Sequence, residues 1–114
     1  MRGYSCKDLR KDIIEDIDEF IADGLNVRQA TSRVQVEYAQ LIEECELAEL
    51  IIYIVLSQEG FRHGCLRTDV KSKALHCINN TNVKKYENHL DEEQLSSLKR
   101  EIEFTSEIFS TEGI

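Results

Sequence analysis

A chain of 114 residues with no proline, five glycines and 32% charged residues can close one modest hydrophobic core and offers little to interrupt a helix, so a single all-α domain spanning 1–114 is expected. Its 22 acidic against 14 basic residues give a formal net charge of -8, a field that repels phosphate backbones and anionic membranes, excludes them as expected partners, and attracts basic proteins. Cys6, Cys45, Cys65 and Cys77 form no CxxC pair, and Met1-Arg2-Gly3-Tyr4-Ser5 opens no secretory signal, which points to free thiols in a reducing cytoplasm.

Ser5 is placed to cap a first helix from Cys6 to Asp23, with Leu9, Ile13, Ile17, Phe20 and Ile21 recurring every three or four positions and Gly24 as its stop. Asp8, Asp12, Glu15, Asp16, Glu19 and Asp23 fall on the opposite side, within roughly a third of the circumference at about 100° per residue. One helix therefore carries a carboxylate stripe. Asn26 is the expected cap of a second helix running to about Glu44, with Val27, Ala30, Val34, Tyr38, Leu41 and Ile42 inward and Arg28, Ser32, Gln35 and Glu37 outward.

A third segment begins with Glu43, Glu44, Glu46 and Glu49 and becomes Leu50-Ile51-Ile52-Tyr53-Ile54-Val55-Leu56. Its composition suits a strand as well as a helix. Glu46-Leu47-Ala48-Glu49 leads straight into it and no other segment offers a strand partner, so a helix is expected. Apolar on all sides, it should be the central buried element, and it is too short to span a bilayer. Gly60 and Gly64 should bracket a turn or frayed end around Phe61-Arg62-His63. Thr68 then caps a helix with Val70, Ala74, Leu75 and Ile78, which Asn79-Asn80-Thr81-Asn82 ends. A short helix with Val83 and Tyr86 follows. Asp91 and Gln94 resemble a capping box for a last helix with Leu95, Leu98, Ile102, Thr105 and Phe109 inward. The architecture predicted is five to six antiparallel helices, as a bundle or helical-hairpin array around the central apolar helix.

Catalytic signatures are missing: there is no phosphate-binding glycine loop, no nucleophile elbow and no His-Glu-x-x-His. His63, His76 and His89 with Cys65 and Cys77 lack the paired spacings of structural zinc, so neither a metal nor another cofactor is expected. Glu43, Glu44, Glu46 and Glu49 resemble part of the magnesium-binding cluster of all-α nucleotide pyrophosphohydrolases. Glu49 is one residue out of step with that motif, and the Glu-x-x-Asp pair on the next helix is absent.

The stretch Leu50 to Gln58, then Gly64, Leu66, Val70 and Lys73-Ala74-Leu75-x-x-Ile78, resembles the middle of immunity protein family three, small mostly α-helical proteins encoded beside secreted bacterial toxins. The helix ending in Asp23-Gly24, the Val27 to Leu41 helix and the Leu95-x-x-Leu98 segment extend the likeness over nearly the whole chain. Where family members carry a glycine and then a tryptophan after the Ala74-Leu75 helix, this chain has Asn79 or Asn80 and Tyr86. The resemblance implies non-enzymatic, stoichiometric binding to the C-terminal domain of a cognate toxin, commonly a nuclease, without a cofactor. A nuclease presents cationic surface to its substrate, so an acidic protein can compete for it. The contact residues expected are Asp12, Glu15, Asp16 and Glu19 on one face or Glu43, Glu44, Glu46 and Glu49 on another, with Tyr53 and Phe61 as exposed aromatic anchors. Two alternatives remain open at this point: an acidic helical adaptor, and a magnesium-dependent pyrophosphohydrolase.

Overall fold

The run Leu50 to Leu56 is helical in the computed structural model, which describes residues 6–80, 83–86, 88 and 90–112. Ser5, Thr81, Asn82 and His89, which carried expectations above, lie outside the described residues. Six α-helices follow in order: α1 (Cys6–Ala22), α2 (Val27–Glu37), α3 (Ala39–Glu44), α4 (Glu46–Arg62), α5 (Thr68–Asn80) and α6 (Glu92–Glu112), with a 3-10 turn at Val83–Tyr86 before the last. No strand occurs among the described residues, and the bundle measures 41 × 38 × 23 Å.

The bundle is organised around α4. Leu50 and Ile52, about 160° apart around the helix axis, are both 0% exposed, and every residue from Leu50 to Gly60 is buried. That all-round burial follows from a sequence with no polar face, because such a helix must be covered on every side. The coverage comes from α1, α2, α3, α5 and α6, all of which touch α4. The other long helices are amphipathic. Leu9, Ile13 and Ile17 of α1, Ala30 and Val34 of α2, Val70, Ala74 and Cys77 of α5, and Leu98, Ile108 and Phe109 of α6 line the core.

Local signals set the helix ends. Asn26 caps α2 through its side-chain oxygen, which accepts from the Gln29 N–H (2.8 Å), while the Gln29 side chain accepts from the Asn26 N–H (3.0 Å). Asp91 and Gln94 make the same reciprocal pair before α6 (2.7 and 3.2 Å). Gly24 and Gly64 adopt φ of 105° and 77° and close α1 and α4 identically. The glycine N–H donates to Ile21 or Phe61, and the next residue's N–H donates to Phe20 or Gly60, satisfying carbonyls the helix end leaves open.

Four details differ from the sequence expectation. The second helix is broken at Tyr38 (φ -100°, ψ 10°) into α2 and α3, although backbone bonds on both sides keep the chain turning. The break lets the Tyr38 hydroxyl donate to Asp16 Oδ2 (2.7 Å), tying this junction to α1. Gln35, expected outward, is half-buried: its amide donates to the Tyr53 hydroxyl (3.2 Å) and its carbonyl accepts from Arg67 (2.8 Å). Arg67, whose carbonyl accepts the first helical bond from Lys71, takes the cap position expected for Thr68. Gly60 lies inside α4 rather than bracketing a turn.

The reason for a glycine at position 60 is the return of the chain. A Cβ there would meet Cys65 O at 2.8 Å and Leu66 Cα at 3.3 Å, both backbone atoms. In an unobstructed helix Gly→Ala gains about 1 kcal/mol. Here Gly60→Ala is expected to lose roughly 1–3 kcal/mol instead, read from urea unfolding midpoints. A gain would show that the turn after α4 moves aside freely.

Candidate protein-interaction surface

Because α1 buries Leu9, Ile13 and Ile17, its carboxylates turn the other way. Asp8, Glu15, Glu19 and Asp23 are exposed, and Asp12 and Asp16 are half-buried at the edges. Among the described residues Asp12, Glu15, Glu19 and Asp23 have no ion-pair partner, whereas Asp16 accepts from Tyr38. The stripe is therefore a surface of largely uncompensated negative charge on a rigid helix. Tyr38 also places the start of α3, which carries exposed Glu43 and Glu44, next to the stripe at Asp16.

The four glutamates of the second expected face do not stay together. Cys45 is extended (φ -137°, ψ 110°) and separates α3 from α4. Glu43 and Glu44 thus stand on one helix and Glu46 and Glu49 on another. Glu46 pairs with Lys85, whose ammonium it holds above the usual lysine range through their hydrogen bond and opposite charges. Glu49 is half-buried beside Cys77. A magnesium cluster built from Glu43 to Glu49 on one helix is not formed.

Burial, reinforced by the charge and hydrogen bond of Glu49, pushes the Cys77 thiol up to about 11. Its thiolate fraction at pH 8 is then about one in a thousand, and the thiolate is the species that reacts. Cys77 should alkylate much more slowly than half-buried Cys45 or Cys65 in the native protein, and at comparable rates after unfolding. Mass-spectrometric counting of labelled thiols measures this. Fast native labelling of Cys77 would contradict the burial.

The aromatic expectation divides. Phe61 is 41% exposed and remains available for contact, but Tyr53 is only 5% exposed. On a helix buried all round, Tyr53 cannot reach a partner, and its hydroxyl instead accepts from Gln35 of α2. Val36 and Phe104 are further exposed apolar side chains, on α2 and α6.

The last turns of α4 hold polar residues whose roles were not apparent in the sequence. Gln58 is buried at the junction of three helices: its carbonyl accepts from Arg10 of α1 (2.9 Å), and its amide donates to Glu101 (2.7 Å) and Thr105 (3.2 Å) of α6. Arg10 also ion-pairs with Glu101 (3.2 Å). Glu59, also buried, accepts two bonds from Arg62 (2.6 and 3.2 Å), and Arg62 reaches on to Asp18 of α1 (3.4 Å). Asp18, Glu59 and His63 bring ligand-capable atoms within 4.8 Å of one another, but the Arg62 guanidinium already supplies positive charge to both carboxylates. The only signal of these contacts in the sequence is Ser57-Gln58-Glu59 interrupting an otherwise apolar helix, since buried polar groups require partners.

A groove of about 750 Å³ lies between α1 and α6, with Arg10 and Glu101 among its lining residues. Its lining includes half-buried Ile14 and exposed Glu15 of α1 and exposed Asp91 and Glu93 near the start of α6, together with Ile51, Ile54, Val55 and Leu98, which are themselves buried.

The fold and surface define the class: an all-α bundle that presents an acidic helix face beside a groove, with no helix among the described residues long and apolar enough to cross a membrane. No family model, curated protein or solved structure matches this chain.

Proposed function

We propose that this chain is an immunity protein that binds a basic toxin domain, most naturally a nuclease, and neutralises it by stoichiometric occlusion rather than by catalysis. The observation that carries the reading is the α1 stripe, where Asp12, Glu15, Glu19 and Asp23 have no ion-pair partner among the described residues. An exposed carboxylate row on a rigid helix raises the encounter rate with a cationic surface and suits one shaped to bind phosphates. The resemblance to immunity protein family three, spread over nearly the whole chain, gives the same direction. The separation of Glu44 from Glu46 by extended Cys45 favours a binding role over a magnesium enzyme, which needs carboxylates converging on one ion.

The test is protection. Cells expressing the toxin domain encoded beside this gene should survive when this chain is co-expressed and die when it is not. Equal killing in both cases would remove the immunity reading and leave an acidic adaptor in its place.

A further inference from the structure

We draw no further inference here: the strongest candidate, the side-chain cluster of Asp18, Glu59 and His63 where the end of α4 meets α1, carries nothing because the Arg62 guanidinium already bonds to both of its carboxylates and no second feature among the described residues points to a metal ion there.

Discussion

Changing Asp12, Glu15 and Glu19 to lysine is expected to slow association with the proposed toxin partner by about tenfold or more at low ionic strength. Circular dichroism and thermal unfolding should stay close to those of the parent chain. The physical basis is long-range attraction: each change replaces a negative by a positive charge on one face of α1, and none of the three has an ion-pair partner among the described residues. Fold is spared because the inward positions Leu9, Ile13 and Ile17 are untouched. The effect should shrink as salt rises, since the screening length falls to about 8 Å near physiological ionic strength. Changing Glu92, Glu103 and Glu107 to lysine, all exposed on α6, shifts the net charge by the same amount at another place and should slow association much less. Stopped-flow measurement at several salt concentrations reads both variants. Equal slowing by the two would mean that net charge alone matters.

A second large effect concerns stability. Leu50→Ala and Ile52→Ala are each expected to cost about 2–5 kcal/mol, the range for emptying a filled core site. What distinguishes this fold is that both should be severe. The two side chains leave α4 in nearly opposite directions and are both 0% exposed. On an amphipathic surface helix one of two such positions would tolerate alanine. Val36→Ala, at 74% exposure on α2, serves as the insensitive reference, within about 0.5 kcal/mol of the parent. Urea unfolding of the three variants decides the matter. If Leu50→Ala or Ile52→Ala proved mild, α4 would not be enclosed on every side.

The parts of the fold legible in the sequence are those fixed by local chemistry. Apolar periodicity located the inner faces of α1, α2, α5 and α6. Asn26, Gly24, Gly64 and the Asp91 and Gln94 pair announced helix ends because capping depends on residues within a turn of each other. The α4 assignment followed from its acidic first turn and the want of any strand to pair with. What escaped was set by tertiary contact. Tyr38 fits a continuous helix by spacing, and only the reach to Asp16 shows the use of a break there. Gln35 looks solvent-facing until Arg67, 32 residues later, comes to meet it.

The candidate interaction surface was legible to the same depth. The α1 stripe was readable because a single helix generates it. The glutamates from Glu43 to Glu49 are close in sequence, yet Cys45 sends them to different places. Tyr53 carries a polar tip that suits an exposed anchor, and the enclosure of α4 overrides that local preference. The groove has no sequence signature, since its lining comes from α4 and from helices at opposite ends of the chain.

The most direct test of the proposed immunity function is titration of its proposed partner, a purified basic toxin domain sought beside this gene, with the intact protein, following binding and toxin activity in one experiment. The account predicts saturation at one-to-one stoichiometry, loss of activity in step with binding, and an association rate that falls as salt is added. Binding that leaves the toxin fully active, or no binding at low salt, would contradict it.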